Sequence, residues 1–239
     1  MQAGVCGSVC ENIDCSGKAR LTTVIISNHH RFIFFAVPKT GTHSIRRALR
    51  PHLTDADHEQ VALFVQKRFP QPRLSEIGHG HLGVQQVRPV LGEEVFNGYF
   101  KFAFVRNPFD RFVSYCAFAS RESGQFEASP QEFMRFIIRD RPPLQHILFR
   151  PQHEVLCDVD GKMMMDQLGR VETMQRDFDS ICARIGIPST PLDQVNASRH
   201  RPYAEYYDDE LRELVGRMYA RDIELFGYEF GSTGAGGTS

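Results

Sequence analysis

Residues 31–49 have the sequence RFIFFAVPKTGTHSIRRAL, in which a strand, a loop and a helix follow one another. The six residues after Arg31 are apolar and rich in β-formers, which predicts a buried parallel strand over residues 31–37. Residues 38–41 break the strand, and the spacing of Ile45 and Leu49 predicts a helix from Thr42. Backbone amides and the helix dipole at such a junction can hold a phosphate. The loop lacks the G-x-x-x-x-G-K-[ST] pattern, so a purely structural turn is the equal alternative for this loop alone.

Residues 99–120, YFKFAFVRNPFDRFVSYCAFAS, repeat this arrangement. The apolar run up to Val105 predicts a second buried strand, and a helix follows Pro108. Arg106 leaves the strand, and Ser114 lies eight residues later in the predicted helix. A guanidinium and a hydroxyl in these positions can bind one phosphate together. For this unit taken alone, the favoured explanation is structural: a salt bridge for Arg106 and a capping or packing role for Ser114.

The remaining pattern alternates strands with helices, which predicts an α/β domain with a central, mainly parallel sheet flanked by helices. Further helices are predicted at residues 56–69, 81–92, 129–140, 176–187 and 208–227, and a hairpin turn at Asp160-Gly161. We expect a flexible N-terminal extension over residues 1–30, one domain over residues 31–230 and a flexible tail over residues 231–239.

The two loops together resemble those of the sulfotransferases that use 3′-phosphoadenosine 5′-phosphosulfate (PAPS). The pattern P-K-x-G-T of that family matches residues 38–42, and its R-[DN]-P with a following Ser matches residues 106–108 and Ser114. The branch that sulfates carbohydrates (family 2) has further motifs, which match Pro151-Gln152, Gly169-Arg170-Val171-Glu172, Asn196-Ala197-Ser198 and Phe226-Gly227-Tyr228. The resemblance covers residues 31–230 and implies a three-layer, P-loop-like fold.

The resemblance also implies roles for individual residues. Lys39 would be catalytic, because its ammonium would offset the charge that develops on the leaving phosphate. The 5′-phosphate would be bound by the loop and first helical turn, namely Lys39, Thr40, Gly41, Thr42, His43 and Ser44. Arg106 and Ser114 would bind the 3′-phosphate. PAPS is then the sulfuryl donor and 3′-phosphoadenosine 5′-phosphate (PAP) the product, and no metal is expected.

A hydroxyl acceptor needs a general base, and histidine is the usual one near neutral pH. His81 is the first candidate and His79 the second, because His79-Gly80-His81 resembles the His-Gly-His of the hexuronic-acid 2-O-sulfotransferases. A turn with two surface imidazoles is the alternative. His43, inside the phosphate loop, is the third candidate.

Three further residues are candidates for acceptor binding. Glu172 would either orient a histidine or contact the acceptor, or else be a strand-end carboxylate paired with Arg170. Arg199 and Arg201 would close over the nucleotide, contact an anionic acceptor, or form a solvated basic loop.

Composition limits the remaining function classes. The chain has 239 residues, with 28 Lys plus Arg and 29 Asp plus Glu, for a net charge of -1, which argues against nucleic acid as the partner. No apolar run is long enough to span a membrane and no secretion signal is present, so we expect a soluble, cytoplasmic, bacterial-type member without stable membrane insertion. Cys116, Cys157 and Cys182 are expected to be buried free thiols, and Cys6, Cys10 and Cys15 incidental thiols of the extension.

The expected acceptor is a hydroxyl on a carbohydrate or glycoconjugate. Three alternatives remain open at this point: a phenol- or tyrosine-directed sulfotransferase, a P-loop small-molecule kinase, and a binding module that has lost activity. A kinase would need a Gly-Lys-[Ser/Thr] loop and an acidic residue for magnesium at the strand end, where this chain has Arg106.

Overall fold

The computed structural model of this protein describes residues 24–60, 71–77, 81–193 and 201–232. Its strands are β1 Ile25–Ser27, β2 Phe32–Phe35, β3 His58–Glu59, β4 Phe100–Val105 and β5 Gln167–Arg170. They form one five-stranded sheet in the order β3-β1-β2-β4-β5.

Helices connect and cover these strands. The α-helices are α1 Thr42–Leu49, α2 Pro72–Ser75, α3 Val84–Leu91, α4 Glu93–Gly98, α5 Pro108–Ala119, α6 Gln125–Ala128, α7 Pro130–Arg135, α8 His153–Leu156, α9 Met174–Ile185, α10 Asp209–Met218 and α11 Ala220–Phe226. Helix α7 continues as a π-helix over Phe136–Asp140, and short 3-10 turns occupy Arg50–His52, Val171–Thr173 and Tyr203–Tyr206.

The sheet is parallel in the middle, as expected, and antiparallel at the edge formed by β1 and β3. Strands β2, β4 and β5 pair in parallel, whereas β1 runs antiparallel to both β2 and β3. Strand β3 therefore points the same way as β2, and four of the five described strands share one direction. Parallel pairing holds at the centre of the sheet, where the two predicted strand–loop–helix units lie side by side.

The domain has three layers because alternate side chains of each central strand enter different cores. Phe32 and Phe34 pack with Phe102 and Phe104 against α1 and α9. On the other face, Ile33 and Phe35 pack with neighbours from α2, α3, α4, α8 and α11. A third apolar cluster joins α5 to α7 and α10. The predicted α/β fold with a central sheet between helices is thus confirmed.

Glycine allows one unusually close contact in this packing. Gly169 in β5 lies against the ring of Phe104 in β4, and a Cβ at position 169 would overlap that ring. Packing against the Phe104 ring therefore explains why the Gly-Arg-x-Glu motif has a glycine at position 169.

Several local predictions need correction. The helix predicted over residues 56–69 is wrong at its start, because His58–Glu59 form an edge strand; residues 61–70 lie outside the described range. The helix predicted over residues 208–227 is two helices that meet at Tyr219. Strand β5 was not predicted. At Asp160-Gly161 the hairpin is reduced to a single bridge between Cys157 and Met163.

The sheet also begins earlier than the predicted domain. Residues 25–27, assigned to the N-terminal extension, form β1 and are buried. Antiparallel pairing with β2 explains their burial, since Ile26 lies opposite Ile33. At the other end, Gly231 donates its amide to the hydroxyl of Tyr203, so the first residue of the predicted tail contacts the domain. Residues 1–23, with Cys6, Cys10 and Cys15, and residues 233–239 lie outside the described range.

The three described cysteines, Cys116, Cys157 and Cys182, are buried and free, as predicted. Among the helices that the structure describes, none combines the length and the apolar character needed to cross a bilayer.

Candidate functional site

Two loops meet at one edge of the sheet. They follow β2 and β4, which pair in parallel with Phe35 opposite Ala103, so both strands end at the same edge. Arg106 Nη1 donates to the backbone oxygen of Lys39 at 3.3 Å, and Arg111 Nε donates to that of Pro38 at 3.0 Å. The two sequence motifs therefore form one site.

The first loop has a concave backbone. Lys39 and Gly41 have φ values of 67° and 71°, and Gly41 precedes the first residue of α1. Left-handed residues in such a turn direct amide groups inward, and the first turn of a helix has amides without intrahelical partners. A Cβ at position 41 would meet only the terminal atoms of the flexible Met174 side chain, so the positive φ is the reason that this position favours glycine.

The hydroxyl groups of this loop are directed to the protein. Thr40 donates to the backbone oxygen of Val37 at 2.9 Å, and Ser44 donates to that of Asp193 at 2.6 Å. Thr42 is buried at the start of α1. Backbone amides, more than hydroxyl protons, are thus the donors that the loop offers to an anion.

Lys39 is a partly desolvated cation. Its Nζ lies 4.6 Å from the ring centroid of Phe118, and the side chain is half-buried. Burial lowers its pKa from 10.5 to about 8, and the positive charges of Arg106 and Arg111 contribute to this pKa in the same direction. A lysine in these surroundings is stabilised in its charged form by an anion.

His43 lies among guanidinium groups on the first turn of α1. Burial and the charges of Arg46, Lys39 and Arg50 lower its pKa from 6.5 to about 4, so the imidazole is neutral at pH 7. Arg46 Nη2 lies 3.4 Å from His43 Nδ1. A guanidinium only donates, so Nδ1 accepts and the proton of the neutral ring is on Nε2. His43 in this form is a hydrogen-bond donor through Nε2.

The second loop presents Arg106 with its orientation fixed. Its Nε and Nη2 donate to the two carboxylate oxygens of Asp110 at 2.8 and 2.9 Å. Asp110 and Ser114 are one turn apart on α5 and lie on the same side of the helix. With the bond to Lys39, these contacts use three of the five guanidinium N–H groups, which leaves two for a ligand.

Buried polar groups hold the backbone of this loop. Gln152 accepts from the amide of Arg106 at 3.0 Å and donates to its carbonyl at 2.9 Å. Glu172 accepts from the amide of Asn107 at 2.8 Å and from the hydroxyl of Tyr228 at 3.0 Å. Both carboxylate oxygens of Glu172 are therefore bonded within the protein, while the Arg170 side chain donates to the carbonyl of Phe226.

His81 is buried beside the first loop. Its Nδ1 lies 2.6 Å from the backbone oxygen of Ala36, just after β2. A carbonyl oxygen only accepts, so Nδ1 donates, and when the ring is neutral its lone pair is on Nε2. This is the opposite tautomer to that of His43, and it is the form in which Nε2 can accept a proton.

Of the three remaining candidates, the structure describes only Arg201. Arg201 is exposed, with its guanidinium 5.0 Å from the ring centroid of Tyr206. His79 and Arg199 lie outside the described residues.

Sequence reasoning missed Arg111, Asp110, Phe118 and Asp222. Arg111 is 2% exposed and donates to three backbone oxygens, those of Pro38, Leu148 and Arg150. Its signal in the sequence is a charged residue between Phe109 and Phe112 in an apolar helix, which predicts a specific buried contact. The partners of Asp222 are 69 and 70 residues distant, so no local pattern indicates them.

The model of the "Sulfotransferase family" matches residues 22–229. The chain belongs to the sulfotransferase family. Carbohydrate sulfotransferase 14 of Danio rerio is 22% identical over an alignment 255 positions long, which covers 90% of this sulfotransferase-family chain and 65% of the relative. Carbohydrate sulfotransferase 10 of Xenopus laevis is 25% identical over an alignment 266 positions long, which covers 89% of the chain and 69% of the relative.

This sulfotransferase-family chain thus spans about two thirds of the length of these relatives. An uncharacterized protein of Archaeoglobus fulgidus is 26% identical over 129 residues, which cover 54% of the chain and 96% of that protein. No solved structure matches the chain significantly. The family match begins close to β1, in agreement with the early start of the sheet.

Proposed function

We propose that this protein transfers the sulfuryl group of PAPS to a hydroxyl of a carbohydrate or glycoconjugate. The main support is the contact between Arg106 Nη1 and Lys39 O, which joins the two family loops in one cationic site. The acceptor class follows from the two relatives that are called carbohydrate sulfotransferases.

The residues at the site fit an anionic nucleotide with two phosphate-bearing ends. The amides of residues 40–44 would bind the 5′-phosphate, with His43 Nε2 as a neutral donor. Arg106 and Ser114 would bind the 3′-phosphate, through the guanidinium N–H groups that Asp110 and Lys39 leave free. A P-loop-like fold is part of this proposal.

The chemistry required of the chain is proton removal and charge stabilisation. PAPS supplies an activated sulfuryl group with the 5′-phosphate as its leaving group. The His81 Nε2 lone pair would take the proton of the acceptor hydroxyl as its oxygen attacks sulfur in line. The Lys39 ammonium would neutralise the charge that grows on the leaving oxygen.

The proposal changes the role of one residue that the sequence suggested for acceptor binding, Glu172, and leaves the other sequence candidates as predictions. Glu172 is proposed to fix Asn107 and not to bind the acceptor directly, since both of its oxygens are bonded to the protein. His79, Arg199 and Arg201 stay predictions. So do the cytoplasmic location and the exclusion of metal and nucleic acid.

The function is tested by incubating the protein with PAPS and a pool of sugar acceptors, with phenols and tyrosine peptides in parallel. We expect release of PAP that depends on the sugar and a sulfated sugar by mass spectrometry. Product with phenols or tyrosine peptides alone would redirect the acceptor class. Thermal stabilisation by ATP with magnesium, without any by PAP, would instead support the kinase alternative.

Arg106→Ala is expected to weaken PAP binding about 10- to 100-fold, because charged hydrogen bonds to the 3′-phosphate are lost. Binding of adenosine 5′-phosphosulfate, which has no 3′-phosphate, should change little. Calorimetry with both ligands measures this difference. Arg217→Ala is the matched control, since Arg217 also pairs with a carboxylate one turn away, that of Glu213. An equal loss for both ligands would contradict the assignment of Arg106.

The lowered pKa of Lys39 predicts proton uptake when PAP binds above pH 8. The free ammonium loses its proton as pH rises through about 8, and bound phosphate raises the pKa again. The phosphates of PAP are already dianionic at this pH, so the proton comes to the protein. Calorimetry at pH 8.5–9 in two buffers of different ionisation enthalpy measures the uptake. If proton uptake persists in Lys39→Met, Lys39 is not the group that takes up the proton.

A further inference from the structure

Gln152 holds the backbone of Arg106 from both sides. It is fully buried, and its side-chain oxygen accepts from the Arg106 amide at 3.0 Å while its nitrogen donates to the Arg106 carbonyl at 2.9 Å. Arg106 directly follows the last residue of β4. The glutamine side chain therefore extends the hydrogen bonding of the strand by one residue, at the point where the chain leaves the sheet.

Gln152 is itself fixed by a buried carboxylate on α11. Asp222 is fully buried and accepts from the amides of Gln152 and His153 at 2.7 and 2.9 Å, and from His153 Nδ1 at 2.7 Å. A buried carboxylate is unfavourable unless several donors surround it, and its removal leaves those donors without a partner. The path from Asp222 through Gln152 to Arg106 is thus a connected series of buried hydrogen bonds.

Asn107, the next residue of the loop, is held by hydrogen bonds that do not involve Gln152. The Asn107 amide donates to Glu172, and its side chain donates to the Tyr203 hydroxyl and to the carbonyl of Glu229. Asn107 also caps α5 through Phe109. A change at Gln152 therefore leaves the start of α5 anchored and acts on the Arg106 peptide alone.

We infer that Gln152 and Asp222 are positioning residues for nucleotide recognition, because they aim the Arg106 guanidinium at the 3′-phosphate. The inference rests on the proposed role of Arg106. It also gives the Gln of the Pro-Gln motif at residues 151–152 a role in the site, although its side chain is buried and bonds the Arg106 backbone. Two N–H groups of a guanidinium match a phosphate only when the arginine is held in one orientation. Gln152 supplies that restraint at the backbone, and Asp110 supplies it at the side chain.

Gln152→Glu tests this inference with almost no change in volume. In the ionised form, one carboxylate oxygen can still accept from the Arg106 amide, but the other has no proton to donate to the Arg106 carbonyl. We expect PAP affinity to fall about 10-fold or more, as for a broken buried hydrogen bond, and adenosine 5′-phosphate affinity to fall less than about 2-fold. Gln60→Glu is the matched control, because Gln60 is a buried glutamine that donates to the carbonyl of Leu74 elsewhere in the fold.

The outcomes separate the inference from the proposed function. If Gln152→Glu loses affinity for PAP and for adenosine 5′-phosphate equally, the inference is refuted. The proposed role of Arg106 would stand in that case, provided that the wild type binds PAP more tightly than adenosine 5′-phosphate. A wild type that binds both ligands equally would overturn the role of Arg106 and the inference with it. Asp222→Asn is the second variant if Gln152→Glu does not fold. It keeps an acceptor for one of the two amides, and we expect a smaller loss that is again specific to PAP.

Discussion

Lys39→Met is expected to lower turnover by at least about 10²- to 10³-fold, the effect of removing a group that stabilises transition-state charge. Methionine keeps the length and apolar stem of lysine but has no charge. Both residues meet the same backbone requirement at φ 67°, so the loop should keep its shape. Turnover with saturating PAPS and acceptor is the measurement.

The same substitution should not destabilise the fold. The pKa of Lys39 is lowered from 10.5, the value of a solvated lysine, to about 8 in the folded protein, so folding disfavours the charged form. This destabilisation is fully present below pH 8 and disappears as pH rises towards 10.5. At pH 7 the Tm of Lys39→Met should therefore equal or exceed that of the wild type.

Lys101→Met is the control for loss of a buried ammonium. Lys101 lies at the opposite end of β4, where it pairs with Asp166 at 2.9 Å, and its removal should lower the Tm but leave turnover almost unchanged. Lys39→Met with near-normal turnover would disprove the catalytic role. If the Tm of Lys39→Met at pH 7 is lower than that of the wild type, the charged form of Lys39 does not destabilise the folded protein.

His81→Asn is expected to lower turnover about 10²- to 10⁴-fold, the range for loss of a general base. The asparagine amide can still donate to the Ala36 carbonyl in place of Nδ1, but it has no basic nitrogen at the Nε2 position. PAP affinity should barely change, because His81 would act on the acceptor. Turnover of the wild type should fall at acid pH as the imidazole gains a proton, and this acid limb should vanish in the variant.

His30→Asn provides a matched control. His30 is half-buried just before β2, at the other end of that strand from Ala36, and its loss should change neither turnover nor the acid limb. Near-normal turnover with an unchanged acid limb in His81→Asn would end the proposal for His81. An acid limb near pH 4 would indicate His43, whose pKa is lowered to about 4, and His43→Ala should then reduce both rate and PAP affinity.

The two strand–loop–helix units were predictable from the sequence because their signals are local. An apolar run of β-formers followed by Pro38 and Gly41, and another followed by Asn107-Pro108, predict strand ends and helix starts without any distant contact. The prediction extends to Lys39 and Arg106, which follow these strands. Parallel neighbours end at one edge of a sheet, so the fold class already predicts a shared site.

Short edge strands were not predictable in this way. Residues 25–27 and 58–59 are too brief to carry a periodic pattern, and they are strands because β1 offers a pairing edge to β3 and is itself paired with β2. The same holds for β5, whose Gly169 weakens any strand signal but is required by the ring of Phe104. Long-range pairing overrides local propensity at these positions.

The sequence by itself thus determined the family and the two loops, and it predicts which residues would hold the phosphates. Only the tertiary structure decided how those residues are held and in which chemical state. Arg106 is fixed by Gln152, 46 residues away, and the tautomers of His43 and His81 follow from Arg46 Nη2 and the Ala36 carbonyl. A hydrogen-bond partner, a buried charge and a pKa are properties of neighbours in space, and chain folding brings those neighbours together from distant positions.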